Sequence, residues 1–258
     1  MSGPPDDFKN LVQELSDADP EVRASAASKL MGSEDTRAVE PLLRALEDES
    51  PRVRAMAALG LAHYEAEEAV PALLDYLAND SASDVRAICA FALGRIGNDQ
   101  ALDGLIPALN DPDRPVRGVA CSAFACAKDR RAVSQIMQLI DDPHWDVRLD
   151  ACETLVRLEV ADERLVDGIE RLRQDPQAAE HEKGMMATHQ FLQTLLNNPD
   201  ARICTVDGRP ISDRRWAGLE EVLERARERL GEEGFGDPPP GLAELAERAR
   251  RLVEESHG

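Results

Sequence analysis

A chain of 258 residues with 43% apolar and 31% charged residues can bury a substantial core and reads as soluble. Thirty Lys and Arg against fifty Asp and Glu leave a formal charge of −20, which repels phosphate backbones and anionic lipid heads and favours basic partners. With 3% aromatic residues there are few rings to stack on bases, so neither nucleic acid nor membrane is expected as a partner.

The sequence holds no apolar run of about 18 residues, and MSGPPDDFKN has neither the basic start nor the apolar centre of a secretory signal. The expected location is the cytoplasm.

The first predicted elements are two amphipathic helices, FKNLVQEL and PEVRASAASKLM, and the pair then returns along the chain. AVEPLLRAL is followed by PRVRAMAALGLA, AVPALLDYL by SDVRAICAFALG, ALDGLIPAL by RPVRGVACSAFA, and AVSQIMQLI by WDVRLDACETLV. The repeated arginines are Arg23, Arg54, Arg86, Arg117 and Arg148, spaced by 31, 32, 31 and 31 residues. Calling the first helix of each pair A and the second B, the B positions at Arg−1, +3, +4 and +7 carry Val, two small residues and a large apolar one. At about 100° per residue these fall on one side of a helix, the small residues marking close approach of a neighbour.

The A helices repeat apolar residues at i, i+3, i+4 and i+7, as in Val39, Leu42, Leu43 and Leu46. Turns such as DADPE and DESPR supply Asp and Pro to stop A and start B. A hairpin of about 31 residues is too small to bury its own apolar face, so stacking must bury it. A sixth unit, starting at RLVDGIERLR, is degenerate and lacks Val-Arg in its second half, as a terminal repeat that ends a stack should be.

Beyond the repeats the pattern changes. RICTVDGRPI alternates about an Asp207–Gly208 turn in the manner of a short hairpin, with Pro210 against it. ISDRRWAGLEEVLERARERL and LAELAERARRLVEE read as amphipathic helices joined by the Pro/Gly-rich hinge GEEGFGDPPP. The expected division is therefore a repeat solenoid over 1–198 and a non-repeat extension over 199–258, whose helices offer either a lid or a homodimer interface.

The period, the Val-Arg-x-x-Ala-Ala-x-x-Leu-Gly pattern and the helical hairpins resemble HEAT-type repeats, in particular the short bacterial kind first recognised in phycobilin lyases. Like those repeats, each copy carries an Asp six residues before its Arg: Asp17/Arg23, Asp48/Arg54, Asp80/Arg86, Asp111/Arg117 and Asp142/Arg148. The resemblance covers roughly residues 6–175 and implies an all-α fold, an α-solenoid of about six αα-hairpins with a helical C-terminal extension. Because Arg lies beside the buried Val and every Arg has an Asp, the expected role of these residues is a structural ladder, each Arg pairing with a nearby Asp and the turn carbonyls.

Opposite the buried stripe lie Arg+2, +5 and +9, about 200°, 140° and 180° from the arginine, which in a stacked solenoid line the inner wall. In the first and fifth copies they are polar: Ser25, Ser28 and Gly32, then Asp150, Glu153 and Arg157. Between them stand Met56, Leu59 and His63, then Ile88, Phe91 and Arg95, then Val119, Ser122 and Cys126. This middle patch has three readings: a partner or ligand site, a surface covered by the chain's own C-terminal region, or packing between repeats.

The chemistry sought elsewhere is missing from the sequence. Cysteines at 89, 121, 126, 152 and 204 form no CxxC pair, so neither a disulfide framework nor a zinc site is expected. Phosphate loops, GxSxG and HExxH do not occur, and the single pair His181–Glu182 does not reproduce the repeated His-Glu pairs by which HEAT-type deoxyhypusine hydroxylases hold iron. No metal and no cofactor is expected. The leading expectation is a non-enzymatic scaffold that binds a basic protein or peptide through the apolar groove. The alternative is a small-molecule binder or lyase-like enzyme using His63 and Arg95 at the same groove.

Overall fold

The computed structural model describes residues 7–179 apart from 34, 159 and 161. Helices account for its regular structure, and there is no strand among the described residues. The chain divides into two compact units, residues 1–135 and 136–258. The predicted hairpin and the helices of the 199–258 extension lie outside the described residues, as do the boundary at 198 and Cys204.

In the first unit the elements are α1 (Asp7–Glu14), α2 (Pro20–Met31), α3 (Val39–Ala45), α4 (Pro51–His63), α5 (Val70–Asn79), α6 (Ser83–Ile96), α7 (Asp99–Leu105) and α8 (Arg114–Ala127). Short 3₁₀ turns lead into α3 and α5 and extend α7. Next comes α9 (Val133–Leu139), within which the division into units falls, and the second unit continues with α10 (Trp145–Arg157), α11 (Glu163–Gln174) and the single turn α12 (Pro176–Ala179).

The starts and stops follow from local chemistry. Asp19 accepts a hydrogen bond from the Glu21 N–H ahead of Pro20, and Asn98 accepts one from the Ala101 N–H, so both helices begin on a side-chain cap. Gly97, at φ 65°, closes α6 by turning left-handed and donating its N–H to the Leu93 carbonyl.

Within the first unit each B helix lies against the next, α2 on α4, α4 on α6 and α6 on α8, while the A helices pack behind them. In this packing Ala26, Ala27, Ala57, Ala58, Cys89, Ala90, Ala120 and Cys121 are fully buried, and Leu30, Leu61, Leu93 and Phe124 form the core together with Leu42, Leu46, Leu73, Leu105 and Leu109 of the A layer. In the second unit Ile136, Met137, Ile140, Val147, Cys152, Leu155 and Leu165 make the corresponding core. Burial of this kind stabilises by about 1.5–3 kcal/mol per large side chain, which is what turns marginal hairpins into an all-α solenoid.

Small residues set how closely the B helices approach. A Cβ on Gly94 would stand 2.8 Å from the Ala123 Cα and 3.4 Å from its carbonyl carbon, so α6 and α8 meet there backbone to backbone. Positions Arg+6 and +8, which the buried stripe read from sequence does not include, are the ones that make this contact. Gly60, Ala92, Ala123 and Thr154 at +6 are buried, as are Ala62, Gly94, Ala125 and Val156 at +8.

Candidate functional site

The Arg+2, +5 and +9 positions stand apart from this packing. Met56 and Leu59 on α4, Ile88 on α6, and Val119 and Ser122 on α8 are half-buried, while Phe91 is 41% exposed. His63, Arg95 and Cys126, at the C-terminal ends of the same three helices, are exposed. On α2, Ser25 and Ser28 are exposed as well. Because α4, α6 and α8 pack in series, the five apolar side chains form a strip that crosses three neighbouring helices. Their buried neighbours on the same helices show the contrast: Ala57, Leu61, Cys89 and Leu93 have no exposed surface.

Polar groups border the strip along both edges. At the C-terminal edge the His63 ring meets Tyr64 edge-on, with centroids 5.2 Å apart, and Arg95 reaches Glu65 at 3.3 Å. Tyr64 itself is anchored by donating its hydroxyl to the Leu30 carbonyl at 2.7 Å. At the N-terminal edge Arg52 and Glu21 pair at 2.8 Å across two repeats, while Asp84 is exposed in the first turn of α6. Glu49, in the preceding A–B turn, is 88% exposed and touches Arg23 at 3.4 Å.

The repeated arginines lie at the A–B turns, where Asp48, Asp80 and Asp111 each do three things at once. The side chain accepts the N–H two residues on, the carbonyl accepts the Arg of its own repeat, and the carboxylate takes the Arg of the repeat before. Asp48 accepts the Ser50 N–H at 2.8 Å, gives its carbonyl to Arg54 Nη1 at 2.8 Å, and receives Arg23 Nε and Nη2 at 2.7 and 2.8 Å. Asp80 does the same with Ala82, Arg86 and Arg54, and Asp111 with Asp113, Arg117 and Arg86. Asp17 supplies its carbonyl to Arg23 at 2.9 Å. In the second unit the Asp142 carbonyl takes Arg148, whose Nη2 reaches Asp175 at 2.5 Å. For Arg23, Arg54, Arg86 and Arg148 the carboxylate partner therefore belongs to the following repeat, and the Asp six residues upstream contributes its backbone.

These contacts shift the acids. Hydrogen bonds from Arg23 and the Ser50 N–H, with the charges of Arg23 and Arg54, hold the Asp48 carboxyl below its ordinary value. For Asp80 and Asp111 burial pushes upward, but the arginine and backbone hydrogen bonds outweigh it and both end lowered. Burial pushes the Cys89 and Cys152 thiols up to about 12, which makes them inert small hydrophobes in the core.

Two ion-pair groups escape a reading based on the B helices. Arg131 is held by Asp99 and Asp103 at 2.6 Å each and by Asp129 at 2.9 Å, tying the start of α9 to α7. Arg171 of α11 reaches Asp141 at 2.6 Å. The first of them carries the Asp-x-Arg spacing, Asp129/Arg131, that also opens other A helices, Asp35/Arg37 and Asp162/Arg164, whereas Arg171 has no such spacing to Asp141.

Among the described residues no group of His, Cys, Asp and Glu is arranged to hold a metal ion, and no helix is long and apolar enough to cross a membrane. A cavity of about 360 Å³ opens at the second A–B turn, where Glu47, Asp75, Tyr76 and Asn79 surround the Asp48–Arg54–Asp80 contacts. Burial and the neighbouring Glu47 raise the Tyr76 hydroxyl above its ordinary value, so it stays protonated.

A profile of HEAT repeats matches residues 8–94, 73–125 and 102–183. The chain belongs to the HEAT-repeat family. Among solved structures it is similar to the complex of CpcE and CpcF of phycocyanin lyase from Nostoc sp. PCC7120, at 18% identity over 99% of this chain and 96% of that one, with a TM-score of 0.57. It is also similar to YibA of Escherichia coli, at 16% identity over 97% and 93% of the two chains and a TM-score of 0.58. An engineered protein matches at 20% identity over 73% of this chain and 98% of its own, with a TM-score of 0.51. No curated protein sequence matches significantly. At these identities the likeness establishes the HEAT-repeat scaffold and leaves its task to the residues.

Proposed function

We propose that this HEAT-repeat chain is a non-enzymatic scaffold that binds a basic protein or peptide along the strip of Met56, Leu59, Ile88, Phe91 and Val119. The observation that carries the reading is Phe91, a large apolar side chain left 41% exposed between half-buried apolar neighbours on adjacent helices. Apolar surface gathered in this way on a charged protein marks a contact site. The five side chains would supply affinity, and the net charge of −20 would steer a cationic partner toward them. Ser122 and Cys126 extend the strip at its polar end.

The lyase-like alternative would require His63 and Arg95 to act on a small molecule. His63 packs against Tyr64 and Arg95 engages Glu65, so both are occupied by protein contacts in keeping with a rim role. The ladder residues Asp17 to Arg148 serve, in this reading, to hold the strip in register.

The test is capture from a cell extract by wild type and by Phe91→Asp, with bound proteins and small molecules identified by mass spectrometry. A partner that wild type retains and Phe91→Asp loses, at unchanged circular dichroism, supports the scaffold. Equal capture by both proteins, or a small molecule that copurifies with wild type and not with Phe91→Asp, would overturn it.

A further inference from the structure

We infer that the occupant of the strip is an amphipathic helix of another protein, laid across α4, α6 and α8 with its cationic flank toward the A–B turn edge. This rests on the scaffold reading and adds the partner's conformation and orientation.

The conformation follows from spacing. Packed helices lie about 8–10 Å apart, and the Gly94–Ala123 approach makes α6 and α8 a close pair. A helix rises about 10.5 Å in seven residues, so one heptad of a bound helix matches one repeat of the scaffold. Each of α4 and α6 offers two apolar side chains one turn apart, Met56 with Leu59 and Ile88 with Phe91, which suits the two apolar residues of a heptad. Three B helices therefore accommodate about two heptads, or 14 residues.

An extended peptide fits poorly for two reasons. It advances about 3.3 Å per residue and alternates faces, so the three residues that span one repeat would turn successive anchors in opposite directions. Its unpaired backbone groups would also need partners, and Met56, Leu59, Ile88 and Phe91 offer none. A helix satisfies its backbone internally and asks the strip for apolar contact alone.

The orientation follows from the edges. Asp84 lies two residues before Arg86, about 160° around the helix from it and so in line with Ile88 and Phe91, and Glu49 projects from the neighbouring turn. Arg95 and His63 stand at the other end of the same helix faces. Arg52, at the equivalent position on α4, is paired with Glu21, and Arg95 with Glu65, so Asp84 and Glu49 leave the turn edge the more acidic of the two and draw a partner's Lys or Arg residues to it. The chain's own amphipathic segments do not answer this: residues 211–230 carry five acids and five arginines, and residues 242–255 four acids and three arginines. Neither has the positive excess that the edge selects, whereas a separate cationic helix does.

The experiment uses full-length protein and a labelled synthetic peptide of two Leu/Lys heptads, with Leu at the two apolar positions and Lys along one flank, followed by fluorescence anisotropy. Two isomers serve as comparisons, the helical peptide carrying one Pro at its first position so that the composition is shared: one has the Leu positions shuffled off the helical period, and the other has that Pro exchanged with a central residue. Wild type should bind the helical peptide at least about tenfold more tightly than either isomer, and Phe91→Asp should lose that preference. Asp84→Lys should weaken binding several-fold at low salt and less at high salt, while Glu40→Lys on α3, with the same change of charge, should have a smaller effect.

Binding of the central-Pro isomer as tightly as the helical peptide, or equal effects of Asp84→Lys and Glu40→Lys, would overturn the inference while leaving the scaffold reading in place, provided Phe91→Asp still abolishes binding. Tight binding unaffected by Phe91→Asp would remove the scaffold reading itself. A peptide of residues 211–230 that outcompetes the Leu/Lys probe would assign the strip to the chain's own segment and refute a partner in trans.

Discussion

Arg54 and Asp80 join two consecutive repeats through a two-pronged contact, Nε to Oδ2 at 2.7 Å and Nη2 to Oδ1 at 2.8 Å, with the Asp80 side chain only 2% exposed. The third nitrogen of the same guanidinium closes on the Asp48 and Glu49 carbonyls at 2.8 and 3.0 Å. Removing one partner would leave a charge desolvated and unpaired, which costs about 3–5 kcal/mol. Asp80→Asn keeps an acceptor for the Ala82 N–H but removes the charge and turns the oxygen that receives Arg54 Nε into an N–H donor, so it should destabilise by roughly 3 kcal/mol at pH 7, read as a lowered urea midpoint. Arg54→Met should cost a similar amount, and the double variant less than the sum. Additive losses would show that the two side chains do not support one another.

Acid should dissolve the same contacts. Asp48, Asp80 and Asp111 have folded-state values below the ordinary 3.8, so each carboxylate contributes stability above about pH 4 that is lost as pH falls through its folded value. Protonation also relieves the repulsion of a strongly acidic chain, so the informative quantity is a difference. The stability gap between wild type and Asp80→Asn should be constant from pH 7 to about pH 4 and shrink below it. A gap unchanged at pH 3 would mean that the Asp80 carboxylate contributes nothing through its charge.

Gly94 and Gly104 should respond in different ways to the same substitution. Alanine is favoured over glycine inside a helix by about 1 kcal/mol, and at Gly104 the new methyl would meet only the flexible end of Leu74, so Gly104→Ala should be near neutral. At Gly94 the obstacle is the Ala123 backbone, and Gly94→Ala should cost about 1–3 kcal/mol despite the better propensity. Thermal unfolding of the two variants checks the contrast, and equal shifts in Tm would contradict the close approach of α6 and α8.

The hairpins and the buried stripe are legible in the sequence because each position recurs five times, so that Val53, Ala57, Ala58 and Leu61 are read against four other copies of themselves. The contact between neighbouring B helices is harder to read, since it depends on Gly94 meeting Ala123, two residues of different repeat positions in different repeats. For the arginines, sequence marks the Asp in the same repeat, which is near in the chain, whereas the carboxylate that Arg23 holds is that of Asp48. Periodicity gives the direction of each side chain but not the offset between repeats, and that offset decides the pairing. The Arg131 cluster was hidden for a related reason: Asp99 and Asp103 lie in α7 and have no counterpart at fixed spacing in the other copies.

Phe91 and Leu93 are two residues apart on α6 and should differ sharply in what they contribute to stability. Leu93 is fully buried, and Leu93→Ala should cost about 2–5 kcal/mol through lost contacts and a cavity. Phe91 keeps 41% of its surface exposed, so Phe91→Asp removes little packing and its charge remains in water; the expected change is within about 0.5–1 kcal/mol. Urea unfolding of the two variants measures both. A loss of more than about 2 kcal/mol for Phe91→Asp would place this ring in the packing between repeats rather than on an open face. With it would go the physical reason for treating Met56, Leu59, Ile88 and Val119 as a surface that receives a partner, because the ring is the most accessible of the five and the others are read through it.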